Sequence, residues 1–414
     1  MKVLVLVGSY PPVLESCGRL YSQLSESLVE AGHNVTVITE HPSGNLPIDR
    51  AHPYFRDCPA DGMLKGVRVR RVSPLTFLAK VPGGKAIRFL LSCVLFTVRG
   101  LLLKRHGVVL VCSPPLFMGI AGYLLSMRHR ARLVLNVQDI HPKVLFDSDA
   151  IRNRWIKAML SKMEMINYRN ADAFIVYSNG NREYLLSCFV KGEIHVIPNW
   201  VDTSEFSVVG AANRFREEEG IGGRLLISYV GTMQSAQGLE IVIAAAELLR
   251  ANRDIVFFLA GEGTSKPGLA RLIEVKKLEN VLLRPVMPAD RYVRCLQASD
   301  VCLVTLGAEV PLETVPGKLA YTMACAKPVL AAVNLRGDTA KTIQAAGGGL
   351  SVSPGDSQGF ADAVLALYRD PALRQEMGRK AGCYAEQHFA RGECTRYYEQ
   401  VLLSPTTVTQ PATA

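Results

Sequence analysis

Short apolar runs alternate with longer stretches of helical periodicity from one end of the chain to the other. The run at 3–7 passes through Gly8-Ser9-Tyr10-Pro11-Pro12 into a helical pattern over 18–31, then Gly32-His33-Asn34 and a second apolar run at 35–39. Further strands are predicted at 67–72, 108–112, 133–137, 173–177 and 195–197. A polar, turn-rich stretch from Pro198-Asn199-Trp200 to Gly223 interrupts the series, and the domain junction is placed within it. A second series follows, with strands at 225–230, 255–260, 281–283, 301–305 and 329–332. Helices are expected at 239–250, 266–277, 316–325, 360–368 and 371–388. Unbroken apolar strands between helices are the pattern of parallel sheets covered on both faces. Two such sheets of similar size joined by one hinge predict a cleft between lobes, where ligands preferentially sit. Residues 404–414 carry Val408 as their one large apolar side chain and read as a disordered tail.

The length of 414 residues exceeds one ordinary core, in keeping with two lobes. Ten cysteines form no CxxC pair and no framework, which is the usage of a reduced, cytosolic protein. The histidines do not cluster with them, so no metal site is predicted. The first apolar run is too short for a secretion signal and fits a first β-strand better.

Charge changes the picture in the first half. Of the net +10, residues 1–206 hold 25 Lys and Arg against 16 Asp and Glu, while 207–414 hold 22 against 21. From Gly62 to Gln138 there is no acid and there are thirteen Lys or Arg. Within it, 89–98 is an uncharged, mostly large-residue run flanked by Lys85, Arg88, Arg99, Lys104 and Arg105. It is too short to span a bilayer. A basic amphipathic helix on an anionic membrane surface fits, with Phe89, Leu90, Leu95 and Phe96 entering the lipid; a core helix with a solvated basic rim is the competing reading. Nucleic acid is disfavoured, because no reader motif accompanies the charge.

Two segments of the second half carry chemistry. In Ser228-Tyr229-Val230-Gly231-Thr232, a strand ends at glycine, and a helix begins shortly after Gln237-Gly238. Such a turn offers amides and a positive dipole end to an anion, but every α/β protein has turns of this kind. The sharper segment is Glu313-Thr314-Val315-Pro316-Gly317-Lys318-Leu319. Pro316 suits the first position of a helix, which exposes the amides of Gly317 and Lys318 beside the lysine ammonium, a diphosphate site in composition. An ordinary surface helix with a solvated glutamate competes with this reading.

With these segments in view, the chain resembles the family-4 glycosyltransferases of retaining GT-B type, close to the subgroup that builds colanic-acid-like capsule and O-antigen sugars. The similarity is collinear over about 1–403. It is carried by Tyr10-Pro11-Pro12, Glu30-Ala31-Gly32-His33, Ser113-Pro114-Pro115-Leu116, Val137-Gln138-Asp139, Ile197-Pro198-Asn199-Trp200, Ala236-Gln237-Gly238-Leu239-Glu240, Ala260-Gly261-Glu262-Gly263 and Val315-Pro316-Gly317-Lys318-Leu319.

The resemblance implies a GT-B fold, two Rossmann-like parallel-sheet lobes facing across a cleft. The lobe 1–206 would hold the acceptor, the lobe 207–385 a nucleotide diphosphate sugar, and a helix at 386–403 would cross back to the first lobe. It implies Gly231, Thr232 and Gln237 beside the donor phosphates and the backbone around Val286 at the base. Val315, Pro316, Gly317, Lys318 and Leu319 would surround the diphosphate, held by Lys318 and the amides of Gly317 and Leu319. Glu313 falls at the first glutamate of the E-x7-E motif, facing the donor sugar, and Tyr321 replaces the second, which in the family binds ribose hydroxyls. Asp139 matches the aspartate at the edge of the first lobe, where Gln138 stands for the family's histidine. Nearby His141 is read as structural. The acceptor loop, often a double glycine, reads Ser16-Cys17-Gly18 after Glu15.

The implied reaction moves a hexose from a nucleotide diphosphate to a sugar hydroxyl with retention, without a metal or other cofactor. A front-face displacement is expected, because no convincing carboxylate pair supports a covalent route. The expected partners are the nucleotide-sugar donor, a lipid-linked or saccharide acceptor and an anionic membrane surface. The expected location is cytoplasmic, peripheral on the inner face of a bacterial cell membrane. Two alternatives stay open: a catalytically inactive GT-B scaffold, suggested by Tyr321 and Gln237, and a GT-B epimerase or phosphorylase.

Overall fold

The computed structural model describes residues 1–13, 16–42, 58–73, 84–143, 146, 151, 153–188, 190–203 and 211–404. The expected tail from 405, Glu15 of the acceptor loop and the side chains of Ser16 and Lys85 lie outside the described part. The chain divides into two compact units, Met1–Pro198 with the C-terminal segment from Cys394, and Asn199–Glu393.

In the first unit the strands are β1 (Lys2–Leu6), β2 (Asn34–Glu40), β3 (Asp61–Leu64), β4 (Val67–Val72), β5 (Val108–Ser113), β6 (Arg132–Val137), β7 (Ala173–Val176) and β8 (Glu193–Val196). They form one sheet in the order β3-β4-β2-β1-β5-β6-β7-β8. All pairs are parallel except the β3–β4 hairpin. Its two-residue turn, Lys65-Gly66, has φ of +46° and +79°, the geometry that matches strand twist in tight hairpins. The helices are α1 (Ser16–Glu30), α2 (Gly84–Leu101), α3 (Leu116–His129), α4 (Arg154–Asn170) and α5 (Asn179–Ser187). Strands β5 and β6 are buried at every position; the runs 108–112 and 133–135 are wholly apolar, and Asn136 within β6 is hydrogen-bonded to Tyr21 and to the Ile175 carbonyl.

The second unit contains β9 (Leu225–Val230), β10 (Ile255–Ala260), β11 (Val281–Arg284), β12 (Val301–Thr305), β13 (Val329–Ala332) and β14 (Gly349–Val352). Their order is β11-β10-β9-β12-β13-β14, all parallel. The helices are α6 (Ala211–Glu218), α7 (Glu240–Leu248), α8 (Lys266–Val275), α9 (Ala289–Ala298), α10 (Gly317–Ala324), α11 (Asp338–Ala346), α12 (Ser357–Arg369) and α13 (Pro371–His388). The last helix, α14 (Arg391–Leu403), lies in the first unit from Cys394 onward.

The expected junction at 206/207 and return at 386 both shift. Val201 is fully buried in the second unit's core with Leu319 and Phe389. Its amide donates to the Phe389 carbonyl at 2.8 Å, and its own carbonyl accepts from Arg391 at 3.1 Å. The segment after Pro198 therefore belongs to the second unit.

Helix α2 presents two apolar faces. Cys93 and Phe96 are buried in the core cluster of the first sheet, with Phe96 at 1% exposure. Ile87, Leu90, Leu91, Val94, Val98 and Leu101 are exposed, spaced along one stripe of the helix. This corrects the lipid-facing set read from composition: Phe96 packs inward and Leu95 leans on the core. Two of the expected lipid-facing cations are also engaged within the protein, Arg88 with Glu40 and Arg99 with Asp61. Lys104 and Arg105, just beyond the helix, are exposed. No helix of the described residues is long and apolar enough to cross a membrane.

Candidate functional site

Strand order in the second unit runs outward from β9 on one side and from β12 on the other. Connections leaving β9 and β12 therefore diverge, and a crevice opens at the carboxyl edge between them, the usual ligand position in an open α/β sheet. The residues singled out in this half lie along that edge.

After β9, Gly231 donates to the Ala260 carbonyl at 3.0 Å and Met233 to that of Glu262 at 2.8 Å. The loops after β9 and β10 thus meet backbone to backbone. A Cβ on Gly261 would lie 1.8 Å from the Gly231 carbonyl oxygen, and one on Gly263 2.2 Å from that of Met233. These two positions accept only glycine because of that approach. A short 3-10 turn, Ser235–Gln237, then precedes α7. The Gln237 side chain closes it, its Oε1 accepting from the Gln234 amide at 3.2 Å and the Thr232 hydroxyl at 3.4 Å. Gln237 is thereby a positioning residue of the loop.

Beyond β12, Glu313 is half-buried in a loop pinned on both sides. The Leu312 carbonyl accepts from the Asp338 amide at 2.7 Å, and the Thr314 carbonyl from the Thr339 hydroxyl at 2.7 Å. Val315 packs on the core cluster beneath. Helix α10 begins at Gly317, one residue later than expected, with Pro316 in extended conformation as its N-cap and not as its first helical residue. That shift matters for the amides. Leu319 donates to the Pro316 carbonyl at 2.9 Å, so its N–H is used inside the first turn and is not offered to a diphosphate. Among the described residues, the amides of Gly317 and Lys318 have no acceptor in the protein, as the first positions of a helix leave them.

The two loops converge on Lys318. Its Nζ donates to the Tyr229 hydroxyl at 2.6 Å and lies 3.9 Å from the centroid of that ring. A Cβ on Gly231 would stand 3.4 Å from the same nitrogen. Tyr229 in turn donates to the Thr232 carbonyl at 2.6 Å. One buried phenol thus ties the glycine turn after β9 to the lysine of α10. Burial pulls the Lys318 ammonium down to about 7, because the phenol supplies an acceptor but no charge. Tyr229 was not singled out from the sequence; a tyrosine in a strand buried on both faces needs a partner for its hydroxyl, and that was the available signal.

Val286 follows β11 on the same edge and is 68% exposed. Tyr321 sits one turn into α10 with its ring edge-on to Tyr292, centroids 5.9 Å apart. Among the described residues, no three His, Cys, Asp or Glu side chains gather as metal ligands would.

In the first unit the strand order reverses between β1 and β5. Cys17, near the start of α1, places its sulfur 3.3 Å from that of Cys112 at the end of β5. Gly18 packs on Ser9 after β1, where a Cβ would approach the Ser9 carbonyl oxygen at 3.3 Å. Asp139 is exposed just past β6. The preceding Gln138 bonds to Asn136 at 2.7 Å, which also accepts from the Tyr21 hydroxyl at 2.8 Å. His141 donates its amide to the Asp139 carbonyl at 2.9 Å, and burial lowers its imidazole pKa. Ser16 to Gly18 and Asp139 thus belong to the first unit, and Glu313 and Lys318 to the second.

Comparison with known proteins agrees with this anatomy. A family described as "Glycosyl transferase 4-like domain" matches residues 17–200, and "Glycosyl transferases group 1" matches 224–370. Glycogen synthase of Mycobacterium tuberculosis is 28% identical over 399 residues, covering 92% of this chain and 89% of that protein. WcaI of Escherichia coli K12, a glycosyl transferase assigned to colanic acid biosynthesis, is 25% identical over 346 residues, 78% of this chain and 81% of its own. Among solved structures, Anabaena HepE in complex with UDP superposes with a TM-score of 0.71 at 16% identity, covering 97% of this chain and 99% of that one. Two glycosyltransferase families laid end to end over two parallel-sheet lobes identify the chain as a glycosyltransferase of the GT-B fold.

Proposed function

We propose that the protein moves a hexose from a nucleotide diphosphate sugar to a hydroxyl of a lipid-linked sugar, with retention, in cell-surface polysaccharide biosynthesis at the inner face of the membrane. The observation that carries the donor half is the convergence of Lys318, the free amides of Gly317 and Lys318, and Gly231 around one point on the sheet edge. Charge accumulates on the leaving diphosphate as the sugar becomes oxocarbenium-like. Preorganised amides at a helix start and one cation stabilise it, which is electrostatic catalysis that calls for no metal. Complexes of HepE with UDP and with UDP-glucose support a nucleotide-sugar donor. In this reading Glu313 faces the sugar, Val286 lies by the base, and Asp139 serves the acceptor on the first lobe.

The acceptor half rests on α2. Its outward stripe of six apolar side chains, with Lys104 and Arg105 beyond it, matches an anionic lipid surface. Trp155 of α4, 71% exposed, is another apolar side chain left to solvent on this unit. The name of WcaI supports a polysaccharide product. The decisive experiment is a transfer assay over UDP- and GDP-sugars with polyprenyl-linked acceptors, reading the anomeric configuration of the product by NMR. Retained configuration is expected; an inverted product, or no transfer with any donor, overturns the reading.

A further inference from the structure

The opposite edge of the first sheet, at the amino ends of its strands, holds a second feature. A cavity of about 480 Å³ opens there between the starts of β1, β2 and β4 and the connection from α2 to β5. Lys2, Arg68, Arg70 and Lys104 line it, with His106 at its side and no acidic residue in the lining. Arg70 is paired with Asp61 at 2.5 Å. Among the described residues, Lys2, Arg68 and Lys104 have no acidic partner. Like charges gathered without counter-charge repel one another, so the arrangement favours an anionic occupant. The buried His106 lines the same cavity. Its Nε2 lies 3.2 Å from the Thr36 hydroxyl, and burial together with His129, Lys2 and Arg68 pulls its imidazole down to about 4.

The cavity also has exposed apolar side chains in its lining. Leu102 and Met63, both in its lining, are 77% and 57% exposed, and Leu102 directly follows the outward stripe of α2. Cations without acidic partners and bare apolar side chains lining one cavity suit a ligand with a phosphate at one end and hydrocarbon at the other.

We propose that this cavity binds the phosphate headgroup of a membrane lipid, its acyl chain lying along Leu102 and the apolar stripe of α2. The proposal rests on the membrane reading above for the source of the ligand, but not for the existence of the pocket. It lies at the sheet edge away from Cys17, Cys112 and Asp139, so it is separate from the acceptor region of the transfer reaction.

The test measures binding of monomeric dihexanoyl phosphatidic acid by calorimetry, against dihexanoyl phosphatidylcholine and inorganic phosphate. The acid should bind at least about tenfold more tightly than either, the discrimination that charge-assisted contacts to phosphate with an added apolar contact supply. Arg68→Gln with Lys104→Gln should lose about tenfold or more. Lys162→Gln with Arg169→Gln, an equal loss of exposed charge on α4, should leave binding unchanged. The His106 imidazole, followed by NMR, should titrate at higher pH when the phosphatidic acid is bound. Equal binding of inorganic phosphate would make this a free-anion site and overturn the proposal, as would full retention of affinity in the Arg68 and Lys104 variant. Vesicles of phosphatidylcholine with phosphatidic acid separate the two readings. Short-chain binding without vesicle binding sinks the membrane reading and leaves the pocket; vesicle binding without short-chain binding sinks the pocket.

Discussion

Lys318 and Tyr229 form a cation–phenol pair, with Nζ 2.6 Å from the hydroxyl and 3.9 Å from the ring centroid. The phenol orients the ammonium without neutralising it, which suits a cation waiting for an anion. Removing the hydroxyl by Tyr229→Phe keeps the buried ring and deletes one bond each to Lys318 and Thr232. A neutral hydrogen bond contributes ~0.5–1.5 kcal/mol, so donor affinity and turnover should each fall roughly two- to tenfold. Lys318→Ala removes the charge itself and should cost roughly ten- to a hundredfold. Steady-state kinetics at fixed acceptor check both, and unchanged constants in Lys318→Ala would remove the residue from the site.

Donor binding should be pH-dependent in a defined direction. Lys318 in the free protein titrates at about 7 because burial disfavours its charge. A bound diphosphate favours that charge and raises the value, so binding takes up a proton above about pH 7. Affinity for a nucleotide sugar, whose phosphodiesters do not titrate near neutrality, should weaken as pH rises from 7, by at most about tenfold per unit. Calorimetry in buffers of different ionisation enthalpy reads the proton directly, and Lys318→Arg should abolish the slope. Stability of the free protein moves the other way. The folded value lies below the unfolded 10.5, so the unfolded chain holds the extra proton between them, and Lys318's contribution rises with pH from about 7 to 10.5.

Glu313→Gln separates sugar from phosphate. Its loop is held by Asp338 and Thr339 through backbone carbonyls, so the fold should survive the change. A carboxylate facing the sugar meets positive charge that develops only in the transition state. Turnover should fall roughly ten- to a hundredfold, the ~1.5–3 kcal/mol of a charged interaction, while affinity for the free nucleoside diphosphate stays within about twofold. An equal loss of affinity would place Glu313 at the phosphates instead.

Much of this anatomy was legible because parallel strands buried on both faces leave unbroken apolar runs. The runs at 225–230, 255–260, 301–305 and 329–332 coincide with β9, β10, β12 and β13. Strands at sheet edges lack that signature. β3 alternates exposed and half-buried positions, and every residue of β14 is half-buried, so neither stood out. At the site, the glycines and Lys318 were visible as residue types, but the register of one helix start was not. With Pro316 as cap, the free amides are those of Gly317 and Lys318, and that of Leu319 is spent. Tyr229 was hidden inside a strand, where its hydroxyl has meaning only once Thr232 and Lys318 are seen beside it.

Helix α2 shows the same limit and yields the last prediction. An uncharged run says that apolar surface exists, not which face meets the core. Phe96 and Cys93 pack inward, and Leu90, Val94 and Val98 are about half exposed. Changing Leu90, Val94 and Val98 together to glutamine should therefore lower the melting temperature far less than the single change of Phe96, since about half of each side chain already faces solvent. It should abolish flotation with anionic liposomes, because the apolar term that supplements surface charge disappears. Phe96→Gln should do the reverse and destabilise the fold by ~3 kcal/mol or more. Among the cations, Arg88 and Arg99 are held by Glu40 and Asp61. Neutralising Lys104 and Arg105 should hence weaken lipid binding more, by ~1 kcal/mol for each charge near the surface. High salt should mimic that loss by shortening the screening length below ~8–10 Å. If the wild-type protein stays unbound across anionic content and salt, the exposed stripe serves another partner and a water-borne acceptor replaces the lipid-linked one. If it floats and the triple variant floats equally well, attachment does not run through α2.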